Sequence, residues 1–157
     1  MNIVILGAGQ AAASLAARLR ALGHGGPITV IGDEAAPPYQ RPPLSKAYLL
    51  GQMDLDRLTL RAPDWWADQN IALRLGETAT AIDRDARVVR TDQGEYPYDR
   101  LALTLGARPR RLPAAMGGEM PGVHVVRNLA DIAALRTALA LSLIHISEPT
   151  RQEAISY

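Results

Sequence analysis

Apolar residues fall in short blocks separated by glycine, and their period changes along the chain. Asn2 to Leu6 is a near-continuous Ile/Val/Leu run that stops at Gly7. Such a run predicts a strand buried on both faces in a parallel sheet. Ala11 to Leu22 carries Leu15, Leu19 and Leu22 at helical spacing with alanine between them, and Gly23 follows as a C-cap. After a Gly25–Gly26–Pro27 turn, Ile28 to Ile31 is a second β-branched run ending at Gly32 and Asp33. Strand, glycine turn, helix and strand within about 30 residues make a βαβ unit whose two strands lie parallel and adjacent.

The pattern then breaks. Ala35 to Leu44 holds Pro37, Pro38, Pro42 and Pro43, which forbid regular structure and stiffen the backbone. Ser45 is placed to cap a short helix over Lys46 to Leu50, and Pro63 to Asn70 predicts another short helix. Ile71 to Leu75 reads as a strand. From Thr78 to Leu105 the runs are short, with Ala79, Ala81 and Val88 on one face and tight turns at 83–86 and 92–94. That is a small antiparallel meander, after which Leu101 to Leu105 rejoins the parallel sheet. Asn128 to Leu139 is a helix capped by Asn128, with Leu129, Ile132, Leu135 and Leu139 on one stripe. The fold class is α/β: a Rossmann-like domain with a βαβ start and a small meander, spanning residues 1–140 and expected to be truncated.

Composition narrows the function. The 157 residues carry a formal net charge of +1, which argues against nucleic acid as the main partner. The basic cluster Arg108, Arg110, Arg111 is short and reads as a solvated or cofactor-side loop. There is no cysteine, so neither a disulfide framework nor a thiolate metal site is expected, and no metal ligand set stands out. A cytoplasmic, reducing setting fits. No signal peptide precedes the first strand, and no apolar run reaches the roughly 20 residues that span a bilayer.

The chemistry lies in the first turn. Gly7, Ala8, Gly9, Gln10, Ala11 and Ala12 form a G-x-G-x-x-A fingerprint. Gly7 permits a tight exit from the strand, Gly9 lets backbone approach a pyrophosphate, and Ala12 lets helix pack close to strand. The helix N-terminus offers free N–H groups and the positive end of its dipole. Asp33, 24 residues after Gly9, is placed to accept hydrogen bonds from an adenosine ribose and to repel a 2′-phosphate. Glu34 shares or takes that role. The fingerprint alone leaves NAD and FAD open, and a small-residue packing turn is its bland alternative.

Pro38, Tyr39, Gln40, Arg41, Pro42, Pro43, Leu44, Ser45, Lys46 resembles the P-Y-x-R-P-P-L-S-K signature of the flavoprotein reductases that serve the ferredoxins of cytochrome P450 and Rieske-type dioxygenase systems. Asp64–Trp65, Ala81–Ile82–Asp83 and Tyr98–Asp99–Arg100–Leu101 follow in order. Thr104 to Arg110 is similar to the family's A-T-G-x-x-P-R segment, with Leu105 as a departure. The resemblance covers residues 1 to about 140. It implies an FAD domain with an inserted NAD domain and a C-terminal domain, NAD(P)H as electron donor, and a ferredoxin-type iron–sulfur protein as acceptor. By position it implies that Gly7, Gly9, Ala11 and Ala12 cradle the pyrophosphate and that Asp33 binds the ribose. It implies further that Arg41 lies near the flavin or pyrophosphate, that Lys46 lies beside the isoalloxazine, and that Ala79 meets adenine through its backbone. Thr104 and Gly106 would line the cofactor, and Arg127 would be a further FAD contact.

An ammonium at Lys46 would stabilise reduced flavin and tune its potential without acting as acid or base; a solvated lysine is the plain alternative. In related disulfide reductases a redox cysteine pair occupies the segment before the P-x-S-K ending. Proline and arginine stand here, so electrons are expected to leave outward. Trp65 and Trp66 read as packing residues. No second glycine fingerprint follows, so no nicotinamide domain is expected in this chain, which by itself should be inactive. Two other functions stay open: a nucleotide-binding module without turnover, or the start of an NAD-dependent dehydrogenase. Residues 141–157, LSLIHISEPTRQEAISY, resemble a translated sequencing-library adapter. They are therefore set aside as a non-native tail, His145, Ser147 and Glu148 included, and the natural gene is expected to continue past Ala140.

Overall fold

The computed structural model describes residues 1–142; of residues 141–157, set aside above as a tail, those from 143 onward lie outside the described residues. The chain divides into two compact units, the first Met1–Arg108 and the second beginning at Pro109. The first unit holds β1 (Ile3–Leu6), α1 (Gln10–Ala21), β2 (Ile28–Gly32), α2 (Leu55–Leu58), α3 (Pro63–Asp68), β3 (Ile71–Leu75), β4 (Ala79–Asp83), β5 (Val88–Thr91), β6 (Glu95–Pro97) and β7 (Arg100–Leu103). Among the described residues of the second unit are a 3-10 turn at Ala114–Met116 and helix α4 (Leu129–Ser142).

The expected α/β architecture is present. A four-stranded parallel sheet runs in the order β3-β2-β1-β7, and β4-β5-β6 form a separate antiparallel sheet. Alternate side chains of β1 point to opposite faces. Ile3 and Ile5 join Ala12, Ala13 and Ala16 of α1, together with Ile28, Val30, Ile71 and Trp66. Val4 and Leu6 join Ile31 and meet Val89, Tyr96 and Tyr98 of the meander. Three layers result: helices α1 and α3, the parallel sheet, and the meander. The central strand is apolar at every position because it has no solvent face.

α1 packs through alanine, which lets helix and sheet approach closely. Its last turn is stitched by Arg20, whose guanidinium donates to the carbonyls of His24, Gly26, Gln69 and Asn70. Gly23 takes φ +82, and the N–H groups of Gly23 and His24 bond Arg20 O and Leu19 O, the left-handed ending expected of a C-cap glycine. Trp65 and Trp66 pack edge to face at 5.0 Å between centroids, with Trp66 in the core.

Two local expectations are corrected, and two features are added. Ser45 caps no helix over Lys46 to Leu50. Pro42 and Pro43 instead start a 3-10 turn that ends at Ser45, and turns with mixed spacing follow. Proline presets the helical φ, so the coil begins two residues early, and bonds of differing span cannot extend it. Helix α2 is an addition, capped by the Asp54 carboxylate accepting from Arg57 N. Val89 is the buried β5 residue, because register turns its side of the strand to the parallel sheet, while Val88 pairs with Asp83 on the other face, shared with Ala81. On α4 only Ile132 of the expected stripe is fully buried, and Leu139 is 41% exposed. The Asn128 cap holds, with its side chain accepting from Asp131 N.

The meander is fastened by one buried acid. Glu77, 3% exposed, accepts from the Thr91 hydroxyl at 2.5 Å and from the Tyr96 phenol at 3.0 Å. Burial of the phenol, its hydrogen bond to Glu77 and the charge of that carboxylate hold the Tyr96 pKa above its ordinary value. A phenol that grips its proton more tightly in the folded state contributes stability in full below the unfolded pKa of about 10 and loses it as pH rises through the folded pKa. Tyr96→Phe should remove this alkaline loss. At neutral pH it should cost about 1–3 kcal/mol by leaving one Glu77 oxygen buried without a donor. Urea unfolding at neutral and alkaline pH checks both, and an unchanged neutral midpoint would show that the bond carries no stability.

Candidate nucleotide-binding site

The site sits where β1, β2 and β7 end, at the carboxyl edge of the parallel sheet, the usual location for a ligand in this architecture. β1 leaves the sheet through Gly7 at φ +97. Gly7 N donates to Ile31 O at 2.8 Å, which keeps the turn tied to β2. From the other side β7 closes in: Thr104 N donates to Leu6 O at 2.7 Å, and the Thr104 hydroxyl lies 2.9 Å from Leu6 O and 2.8 Å from Gly7 O. A Cβ on Gly7 would stand 2.3 Å from Thr104 O and 2.9 Å from the Leu105 Cα. Glycine is required there twice over, by backbone angle and by space.

Gly32 does the same on the opposite flank. A Cβ there would come within 2.5 Å of the Ala8 Cβ. In the sequence this role shows only as a glycine placed directly before the candidate ribose acid. Gly9 differs from both. Its backbone is extended, it is the N-cap of α1 with no side-chain capping bond, and a Cβ on it would meet nothing within 4 Å. The first i to i−4 bond of the helix runs from Ala13 N to Gly9 O at 3.1 Å, so the amides of Gln10, Ala11 and Ala12 precede it. No acidic residue lies in the first turn. The helix mouth therefore keeps its positive partial charge and has room for backbone-close approach of an anion. Ala12 is fully buried against the sheet, while Ala11 faces outward.

The two acids after β2 have separate surroundings. Asp33 is exposed, and its backbone is held on both sides: Glu77 N donates to Gly32 O at 2.9 Å and Gly76 N to Glu34 O at 3.0 Å. Glu34 is half-buried and committed. Its carboxylate accepts from Arg41 at 2.6 Å and from the Tyr39 hydroxyl, and the Arg41 guanidinium lies 5.1 Å from the Tyr39 ring centroid. Of the two acids considered for the ribose, Asp33 alone presents an uncommitted carboxylate among the described residues.

The remaining candidates lie on separate segments, and all but Arg127 belong to the first unit. Arg41 serves as the partner of Glu34. Lys46 follows the proline turn, exposed and without an ion pair among the described residues. Pro38, Tyr39 and Leu44 of this segment are buried, as is Leu58, and Tyr39 bridges to Thr59. Ala79 opens β4, exposed, beside an irregularity in its pairing with β5. Gly106 takes φ +68. Leu105 exposes its side chain, and only its backbone approaches Gly7. Arg127 belongs to the second unit, where its N–H donates to the Asp131 carboxylate. Among the described residues no cluster of His, Cys, Asp or Glu could hold a metal ion, and no helix is long and apolar enough to cross a membrane.

Gly7 and Gly9 should separate structure from ligand approach. Gly7→Ala is expected to cost about 3 kcal/mol or more, from the left-handed angle together with the backbone clash. Gly9→Ala should stay within about 1 kcal/mol of wild type, the scale of an N-cap change. Denaturant unfolding of both variants tests this, and equal losses would contradict it.

Comparison with known proteins bears on this geometry. The model of the pyridine nucleotide-disulphide oxidoreductase family matches residues 1–146. Rhodocoxin reductase of Rhodococcus erythropolis is 45% identical over 141 residues, 89% of this chain and 33% of that protein. Putidaredoxin reductase CamA of Pseudomonas putida is 44% identical over 88% of this chain and 33% of its own length. The chain thus spans a third of these curated relatives. Among solved structures, the covalent putidaredoxin reductase–putidaredoxin complex superposes with a TM-score of 0.80 at 44% identity, over 88% of this chain and 34% of that one. A ferredoxin reductase from Rhodopseudomonas palustris gives a TM-score of 0.79 at 37% identity, with the same coverage. By sequence and by fold, the chain belongs to the pyridine nucleotide-disulphide oxidoreductase family.

Proposed function

We propose that this chain is the FAD-binding portion of an oxidoreductase that passes electrons from NAD(P)H to a ferredoxin-type iron–sulfur protein in the cytoplasm, and that residues 141–157 are a non-native tail. The observation that carries the reading is the open, acid-free mouth of α1 between two glycine-dependent contacts, with Asp33 exposed at the end of the next strand. The relatives named above supply the reductase class. Proline and arginine between Pro38 and Leu44, where related disulfide reductases hold a redox cysteine pair, support an external electron acceptor.

The chain's own residues would act as follows. The amides at the start of α1 donate to the diphosphate, and Gly9 lets it come close. Asp33 accepts from the adenosine ribose hydroxyls. Glu34, neutralised by Arg41, leaves that role to its neighbour. Thr104 and Gly106 hold the β7 end against the phosphate turn, while Ala79 and Arg127 contribute further contacts. Bound FAD would supply hydride acceptance and one-electron release. Lys46 places a positive charge on the proline-braced segment, which would favour negative charge on a flavin held there.

The purified chain should take up FAD and stay yellow after gel filtration. Asp33→Asn and Gly9→Val should each weaken FAD binding about tenfold or more, which is about 1.4 kcal/mol, while circular dichroism stays native. The chain alone should not reduce ferricyanide with NADH. A folded wild-type chain that retains no flavin would overturn the reading, and retention of NAD in its place would favour a dehydrogenase origin. NADH-driven turnover would refute the claim that the chain is inactive alone.

A further inference from the structure

Resting on the flavin-nucleotide reading above, we infer that Glu77 is the positioning residue for the ribose-binding acid, acting on Asp33 through the backbone of the Gly76–Glu77 turn. Three observations meet at this residue. Its amide donates to Gly32 O at 2.9 Å, and the adjacent Gly76 amide donates to Glu34 O at 3.0 Å, so the 76–77 turn grips the residues on either side of Asp33. Its carboxylate is buried at 3% exposure and takes two hydroxyl donors from the meander, Thr91 at 2.5 Å and Tyr96 at 3.0 Å. Asp33 itself has no side-chain partner among the described residues, so its placement depends on the backbone that carries it.

A buried carboxylate is costly to place and costly to leave half-satisfied, so its position is sharply defined by its donors. The donors sit on β5 and β6, and β5 packs Val89 against Val4, Leu6 and Ile31. Glu77 thereby fixes the end of β3 to a rigid layer, and the end of β3 fixes the Asp33 corner. Other ties join the same segments, Gln93 to Gly76 O and Asp92 to Thr78 N, but both involve exposed groups open to competition from water. Nothing in the polarity pattern marks Glu77, since an acid after a strand reads as a solvated turn residue.

The test is a double-variant cycle on the whole chain, read by flavin fluorescence and by amide hydrogen exchange at residues 76 and 77. Glu77→Ala should weaken FAD binding about tenfold in the Asp33 background and less than about twofold in the Asp33→Asn background, the non-additivity expected of coupled sites. Exchange at 76 and 77 should quicken with or without FAD. Glu77→Gln, which keeps the shape and one acceptor oxygen, should restore binding to within about twofold of wild type. If Glu77→Ala does not fold, Thr91→Val removes one donor with the carboxylate in place and is read in the same cycle. Losses that multiply across the cycle, or unchanged exchange at 76 and 77, would overturn the positioning role while FAD binding stands. A wild-type chain that binds no FAD would overturn the cofactor reading itself and leave Glu77 a structural tie only.

Discussion

Residue 7 carries no side chain, and the corner between β1 and α1 exists on that condition. Three backbones converge there: the turn after β1, the end of β2 and the end of β7. Thr104 O occupies the space a Cβ would need, and the Thr104 hydroxyl is spent on the carbonyls of Leu6 and Gly7. Gly32 makes the equivalent concession to Ala8. With both flanks closed by backbone, the helix mouth points outward with its amides unspent. An anion site of this kind needs no charged side chain, because the partial charges belong to the peptide groups and to their alignment.

The electrostatics of the corner follow from how two neighbouring acids are divided. Asp33 and Glu34 are adjacent in sequence, so their side chains leave the backbone in different directions. Glu34 meets Arg41 and the Tyr39 hydroxyl from the proline segment, which neutralises it near the site. Asp33 faces outward and keeps its capacity to accept. The proline segment thus contributes beyond its own contacts: by holding Arg41 on Glu34 it pairs one of the two acids that follow β2 and leaves the other open. Partial exposure of the Arg41–Glu34 pair keeps its contribution to stability modest, and its value lies in which acid remains available.

The larger elements were legible because their signals are local. The Ile/Val runs of β1 and β2, the alanine-rich α1 and its Gly23 ending, the Pro63 helix start and the return of Leu101 to Leu105 to the sheet all rest on periodicity and on glycine or proline placement. The need for glycine at position 7 was legible for the same reason, since a tight strand exit is a local demand that glycine meets. The burial of Val89, the early 3-10 turn at Pro42 and the narrow burial on α4 were not. A one-residue change of register inverts a strand's faces without altering its composition, and burial on a helix depends on what packs against it.

By itself the sequence determined the βαβ start, the small-residue turn after β1, the family resemblance and the lack of cysteine among these residues, because backbone angle, side-chain size and residue identity are properties of single positions. Only the tertiary structure decided that Gly32 must be glycine, that Glu34 is committed while Asp33 is not, that Thr104 serves the turn's carbonyls, and that Glu77 is buried. Each of those depends on segments 7 to nearly 100 residues apart in the chain meeting within hydrogen-bond or van der Waals distance. No run of neighbours in the sequence encodes such a meeting; it follows from strand order and register.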